Sequence, residues 1–346
     1  MKNGLGPSGG SIDMVLLDHG SGGLASSRLI KEMFLARLSN PILDELEDSA
    51  ELHLEGIRVA FSTDSYVVDP IFFPGGDIGE LAVNGTINDL AMKGAEPVAL
   101  SLGLILEEGF PGQDLARIMD SVARSARQAG VSVVTGDTKV VPRGKADKIF
   151  INTSGLGLLL HDFPLTASRI RPSDLILISG TVGDHGATIM TRREGLGLDG
   201  GLSSDTRPLH RMARALVDEL GPEVRAFRDP TRGGLATSLV EMAHKAGLSF
   251  EIREEAIPVR DEVAQVCEIL GLDPLYLANE GKMIAVVSQD AAARALEIME
   301  SMPESDGPAV IGRAVERGVV PVVMETAVGG RRAVEMLTGE PLPRIC

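Results

Sequence analysis

The stretch STDSYVVDPIFFPGGDIGELAVNGTINDLAMKGAEP, Ser62 to Pro97, decides how the rest of the chain is read. Val59 to Ser62 has strand character and ends in Thr63-Asp64. Gly75-Gly76-Asp77 then opens a helix predicted to run to Met92. On that helix Asp77, Leu81, Asn84 and Asn88 recur at i, i+4, i+7 and i+11, so they share one face, and Asp89 stands one step round. A polar row on a largely apolar helix faces either solvent or a site. Taken singly, these residues read equally as an N-cap aspartate and surface asparagines.

Other segments give the row its meaning. GDTK (Gly136 to Lys139) and RDPTRGG (Arg228 to Gly234) repeat the same character: an acid or amide beside glycines, after a strand or at a helix start. Carboxylates at strand ends with small neighbours suit Mg²⁺, which takes oxygen ligands and keeps waters and substrate phosphates. Glycines let backbone N–H groups approach those phosphates. Together the loops favour a site. Lys139, Arg232 and Lys282 follow such motifs and would compensate an anionic ligand; the alternative for Arg232 and Lys282 is a surface ion pair. His185, within GDHG, either contacts substrate or caps a helix start.

Outward from this core, HGSGG (His19 to Gly23) leads into an amphipathic segment, Leu24 to Leu38, that reads as a helix. Val98 to Leu106 reads as a buried strand. Leu115, Ile118, Met119, Val122, Ala126 and Ala129 recur at helical spacing until Gly130 stops them. Val131 to Val134 and Ile149 to Leu160 follow as strands. Leu175 to Ser179, after the turn Arg171 to Asp174, begins a second half that again mixes strands and helices. The fold class is α/β, with mixed sheets of α+β type in two domains. Boundaries are expected at a disordered extension over 1–15, domains over 16–162 and 170–328, and a flexible tail over 329–346. Two GxGxxG matches, Gly4 to Gly9 and Gly195 to Gly200, do not follow strands and read as loops; no GxxxxGK[ST] exists, so no P-loop holds a nucleotide.

A formal net charge of −16 over 346 residues repels phosphate backbones and anionic lipid, which excludes nucleic acid and membrane as partners. No Trp and two Tyr offer little for base stacking. No apolar run approaches a membrane span, and the N-terminus lacks a signal peptide's apolar region. With two cysteines there is no disulfide framework, and the expected location is cytoplasmic. Cys267, in the helical pattern DEVAQVCEIL, reads as a small buried hydrophobe. Cys346 ends the sequence on TGEPLPRIC, whose prolines favour an extended form of roughly 3.1 Å per residue, enough to reach a cleft of the same molecule.

HGSGG, Ser62 to Pro97, GDTKVV, SGTVGDHG, DPTRGGLA, NEGK and the ending PRIC, in this order, resemble the HypE family of hydrogenase maturation proteins, within the aminoimidazole ribotide synthetase (PurM)-like superfamily. The resemblance spans about His19 to Cys346; the stretch before Leu16 departs from it. It implies an N-terminal ATP-binding, dimerising domain whose strands join a shared barrel in a homodimer, and a C-terminal α/β domain. It further implies metal-binding carboxylates at Asp64, Asp89 and Asp229, and a phosphate loop at Gly20, Ser21, Gly22 and Gly23. Asn88, Asp137 and Lys139 would hold the nucleotide. The activity implied is ATP- and Mg²⁺-dependent: Cys346 receives a carbamoyl group from the carbamoyltransferase HypF, and the thiocarbamate is dehydrated to a thiocyanate. Cyanide then passes to iron on the HypC–HypD complex for [NiFe]-hydrogenase. Lys139 would steady the phosphoryl group, and Glu280 is the candidate base, although it reads as readily as a surface residue. The rival readings are selenophosphate synthetase, which would place a reactive Cys or selenocysteine in the loop that here reads HGSGG, aminoimidazole ribotide synthetase, and a non-catalytic carrier.

Overall fold

The structure is a computed structural model describing residues 12, 14–196, 201–339 and 342–346. Most of the expected extension over 1–15, the Gly4 to Gly9 match and most of Gly195 to Gly200 lie outside the described residues.

The first half is built on a five-stranded sheet. Its elements are helix α1 (Leu24–Leu29), a π-helical turn (Ile30–Leu35), α2 (Ala36–Leu38), and strands β1 (Ala50–Leu54), β2 (Ile57–Tyr66), β3 (Phe72–Phe73) and β4 (Gly76–Asp77). Next come α3 (Ile78–Ala91), β5 (Ala95–Glu107), α4 (Gly112–Ala129), β6 (Ser132–Val141) and β7 (Ile149–Leu159). The sheet runs β1-β2-β7-β5-β6, with only the β5–β6 pair parallel. β3 and β4 form a separate two-stranded ribbon that ends at the N-cap of α3. That cap is Asp77, whose Oδ1 accepts from Gly79 N at 2.8 Å and Glu80 N at 3.2 Å. It offsets two of the free donors every helix start carries. α3 lies on one face of the sheet, and α4 packs against α3 and the sheet through Val122 and Ala126. α4 ends at Gly130, whose φ of +73° is a left-handed cap that any side chain would strain.

Among the described residues nothing covers the other face of this sheet. β5, expected to be buried, alternates instead, and Phe61, Ile105 and Leu156 stand exposed with Val98. Period-two alternation sends alternate residues to opposite faces. Asp64 therefore points toward α3, while its neighbours Thr63 and Ser65 point away.

The second half is a seven-stranded sheet in the order β14-β13-β10-β12-β8-β11-β9. It is formed by β8 (Leu175–Ile178), β9 (Val224–Arg228), β10 (Ser249–Arg253), β11 (Ile284–Val287), β12 (Ala309–Val315), β13 (Val322–Glu325) and β14 (Arg331–Val334). Its helices are α5 (Asp184–Glu194), α6 (His210–Leu220), α7 (Gly234–Ala246), α8 (Asp261–Leu270) and α9 (Ala292–Ser301). The continuous apolar run of β8 has its reason here. Ile176 and Ile178 enter the core beneath α7, whereas Leu177 enters the one beneath α6 and α9. A strand covered on both faces needs no polar alternation. β14 lies inside the span expected to be a flexible tail, pairing antiparallel with β13. Among the described residues no helix is long and apolar enough to cross a membrane.

A third core joins the halves. Tyr66, Ile78 and Leu81 from the first pack with Ala187, Val263 and Leu277 from the second, together with Leu342 and Ile345 of the tail. The end of the chain is thus part of the fold.

Candidate active site

The cleft between the halves collects carboxylates. Asp64 on β2 and Asp89 on α3 lie near enough to act on each other electrostatically; Tyr66 OH donates to Asp64 Oδ2 at 3.4 Å, and Ser62 Oγ donates to Asp89 Oδ2. Asp229, directly after β9, and Asp48, just before β1, complete the group. Burial, then the charges of Asp64, Asp229 and Asp48, push the Asp89 carboxyl well above its usual range. Burial above all raises Asp229 to about 6, against the lowering effect of Arg228. Asp48 is raised by burial despite its 3.0 Å ion pair with Arg228, and its Oδ2 has no hydrogen-bond partner among the described residues. Among those residues no three such side chains converge closely enough to chelate an ion by themselves. Mutually repelling oxygen ligands with an unpartnered buried acceptor nonetheless fit a hard divalent cation that completes its shell with water and phosphate.

Asn88 is committed to holding the cleft together. Its Nδ2 donates to the carbonyl oxygens of Arg207 at 3.0 Å and Glu280 at 3.2 Å, and its Oδ1 accepts from Leu209 N at 2.8 Å. Asn84, on the same row, donates to Thr206 Oγ1 at 3.3 Å. The polar row on α3 therefore faces the 204–209 segment of the second half.

Glu280 is buried, not a surface residue. Asp205 accepts from Glu280 N at 3.1 Å and Gly281 N at 3.3 Å. The carboxyl of Glu280 is pushed well above its ordinary range by burial, then by Asp205, Asp229 and Asp64. Its Oε1 has no hydrogen-bond partner among the described residues. Lys282 is buried too, with its ammonium 3.4 Å from both Asp184 and Asp205. It is an interior ion triad, not the surface pair considered from sequence.

The phosphate-loop candidates pack beside this cleft. Ser21 Oγ accepts from Gly23 N at 3.3 Å and donates to Asp18 O at 2.8 Å. Gly20 O accepts from Arg232 Nη1 at 3.3 Å. Gly22 has φ +78°, and a Cβ there would lie 2.8 Å from that of Arg232; one at Gly23 would lie 2.2 Å from Leu337 O. The loop follows the backbone closely because it has no side chains in these two places.

Cys346 lies half-buried in a cavity of about 240 Å³, lined also by Gly20, Ser21, Arg232, Tyr276 and Leu337. Burial pushes its thiol up to about 12, and Glu280, Asp64 and Asp229 push the same way against the lowering effect of Arg232. Arg232 is raised in turn, first of all by Cys346. Arg232 is thus the cation at the sulfur. Cys267 is buried in α8, its thiol raised to about 11 by desolvation.

Asp137 and Lys139 stand apart. They pair with each other at 2.6 Å, each about two-thirds exposed. In the register of the sheet, Lys139 is opposite Ile105 and Asp137 opposite Gly103, which lines them up with Phe150 and Asn152 on the uncovered face. Asp64 and Asp89 are on the other face. One chain does not bring the two groups together. Asp48 and Asp205 were missed from sequence. Asp48 sits in the acidic run Leu43 to Ser49, which reads as a solvated surface, and Asp205 carries no motif of its own.

Two mixed α/β halves that close on a carboxylate cleft define the class of AIR synthase related proteins. Residues 46–159 match the AIR synthase related protein, N-terminal domain, and residues 171–325 match its C-terminal domain. Within that class, this chain belongs to the HypE family. It is 52% identical over 337 residues to carbamoyl dehydratase HypE of Azotobacter vinelandii, covering 97% of this chain and 98% of the relative. A crystal structure of HypE in complex with ATP is 52% identical with a TM-score of 0.81, covering 96% of this chain and 100% of that one. A chain of a HypE–HypF complex is 44% identical with a TM-score of 0.85, covering 89% and 99%.

Proposed function

We propose that the chain carries a carbamoyl group on the Cys346 sulfur and, consuming ATP, dehydrates S–CO–NH₂ to S–C≡N, the source of the cyanide ligand for [NiFe]-hydrogenase iron. The observation that carries the reading is the seat of Cys346 beside Arg232, at the edge of a buried cluster of Asp64, Asp229 and Glu280.

Removing water from an amide is uphill in water, and oxide is a poor leaving group. Transfer of the γ-phosphoryl of ATP to the amide oxygen solves both problems: the oxygen leaves as phosphate, and the nitrogen gives up its two protons. Such transfer asks the protein for positioning and charge neutralisation more than for covalent help. Asp64, Asp89 and Asp229, joined by Asp48, would hold Mg²⁺, which neutralises phosphate charge when bound. Arg232 stabilises negative charge growing on the oxygen next to the sulfur. Glu280 takes a nitrogen proton in its ionised form: its Oε1 has no partner among the described residues, and its raised affinity for protons makes that carboxylate the stronger base. The loop Gly20 to Gly23 offers backbone donors to phosphate.

A cavity that keeps the sulfur uncharged accepts a neutral thiocarbamate readily. The same surroundings hold back the thiolate, the form that attacks a carbamoyl donor. Loading by HypF therefore takes place with the tail out of its seat. The HypE–HypF complex of a relative supports that partnership. Acceptance of the cyanide by HypC–HypD and a cytoplasmic location complete the reading. The uncovered sheet face with Phe61, Ile105 and Leu156 supports a homodimer, in which Lys139 and Asp137 of one protomer serve the nucleotide of the other.

The test is a single turnover. Carbamoylated protein given MgATP loses one water at Cys346 by mass spectrometry, while Cys346→Ala consumes no ATP in the coupled reaction yet binds it normally. A loaded protein that consumes no nucleotide ends this reading, and leaves a carrier.

A further inference from the structure

Residues 343–346 are held almost entirely by their backbone. Arg193 Nη1 donates to Pro343 O at 2.6 Å, and its Nη2 to Arg344 O at 3.0 Å, where Asp69 N also donates at 3.3 Å. His185 Nε2 lies 2.7 Å from Ile345 O, and Val67 N donates to Cys346 O at 3.0 Å. Each of these four carbonyls has a donor. Leu342 and Ile345 are buried beside them, and Arg344 ties back through Nε to Val67 O at 2.8 Å. Arg344 itself has φ +52°, a left-handed conformation that a side chain adopts only when its surroundings over-determine it.

The hydrogen-bond network assigns the state of His185. A carbonyl can only accept, so Nε2 must carry the proton. The neutral ring then leaves Nδ1 as acceptor, 2.7 Å from Ser204 Oγ. Ser204 Oγ accepts from Thr206 N at 3.2 Å and has its own proton free for Nδ1. The ring is fully buried and Phe73 meets it edge-on at 5.5 Å, so neither orientation nor tautomer is left to chance. His185 is in the first turn of α5 and Arg193 in the last, about 12 Å apart along the axis.

We propose that α5 is a ruler: His185 and Arg193 grip the tail carbonyls so that the residue following Ile345, and no other, arrives at Arg232 and Glu280. His185 is a positioning residue, acting through Ile345. The proposal rests on the dehydration reading for its catalytic consequence, but the register it claims is measurable without it. The rival arrangement is a tether, in which tail length alone sets the reach of the sulfur.

Two insertions into the full chain separate these. A glycine between Ile345 and Cys346 displaces the sulfur by one residue, about 3.3 Å. A glycine between Thr338 and Gly339 lengthens the tail equally but lies ahead of the gripped carbonyls. Two readouts are taken: the rate of alkylation of Cys346 by iodoacetamide, and single-turnover water loss after loading with cyanate. The ruler predicts that the first insertion strips protection from Cys346 and slows dehydration about a hundredfold, while the second leaves both within about twofold of wild type. His185→Ala should resemble the first insertion with ATP affinity unchanged, and His185→Gln, which restores an N–H donor, should recover most of the loss. Equal effects from the two insertions, or a His185→Ala protein as protected as wild type, overturn the ruler. If wild-type protein loses no water, the dehydration reading fails, and the alkylation rates still decide the register.

Discussion

Asn88 donates from Nδ2 to the main-chain oxygen of Glu280 at 3.2 Å, across 192 residues of sequence. The helix that bears Asp89 thereby holds the segment that bears the candidate base. With Asp205 accepting from Glu280 N, the peptide on either side of that residue is fixed, and the carboxyl projects from a rigid support.

Glu280→Gln keeps the shape and the backbone contacts while removing the base. Dehydration of carbamoylated protein is expected to slow by about 10²- to 10⁴-fold with ATP affinity retained. A single-turnover rate within a factor of two of wild type would assign the proton to another group.

Gly281→Ala tests the close approach behind that loop. A Cβ at Gly281 would lie 1.9 Å from Asp205 O and 2.7 Å from Arg207 Cγ. The first contact is with backbone and cannot be relieved by a side-chain rotation. A loss of about 1–3 kcal/mol is expected, read as a lower melting temperature; an unchanged melt would mean the 204–209 segment yields freely.

Asp229→Asn separates stability from binding. The Asp229 carboxyl is raised from 3.8 to about 6 in the fold, so the folded state binds its proton more tightly than the unfolded chain does. Its contribution to stability is complete below about 4 and is lost as pH rises through about 6. The loss is on the order of 3 kcal/mol at neutral pH in ligand-free protein. Asparagine lacks this penalty. Relative to wild type, Asp229→Asn should gain in melting temperature between pH 4 and 7 while MgATP affinity falls in titration calorimetry. A difference in melting temperature that stays flat with pH would contradict the assignment.

The position of Lys139 leads to a complementation experiment. If each nucleotide site draws Lys139 from the opposite protomer, Lys139→Ala and Glu280→Gln are each inactive alone. Mixed dimers of the two contain one intact site and should regain about a quarter of wild-type activity after random reassortment of chains. No recovery, in dimers confirmed by light scattering, places Lys139 and Glu280 in sites of the same chain.

The parts legible in the sequence were those with a local cause. Asp77 was readable as a cap, Gly130 as a stop, and Asn88 with Asp89 as a polar break in an apolar helix. Asp64 was readable as an acid on a strand, although the strand does not end there but runs on to Tyr66. What escaped depends on pairing over long distances. Lys282 looked like a surface charge because the two aspartates that neutralise it, Asp184 and Asp205, come from other segments. Asp48 was hidden among acidic neighbours, and its place in the cleft comes from β1 pairing with β2. The exposure of Asp137 and Lys139 follows from sheet register and from which face α3 covers, and neither is encoded within GDTK. Tail prolines argued for an extended form but gave no sign of the carbonyl grips that dock it.

The buried ammonium of Lys282 has a mechanical consequence. Asp184 precedes His185 at the start of α5, and Asp205 holds the backbone of Glu280. Bridging both, Lys282 rivets the seat of the cargo to the mount of the base. Thermal breathing of the cleft must then carry the two as a single plate, preserving the spacing between sulfur and carboxyl even while the mouth widens to admit or release nucleotide.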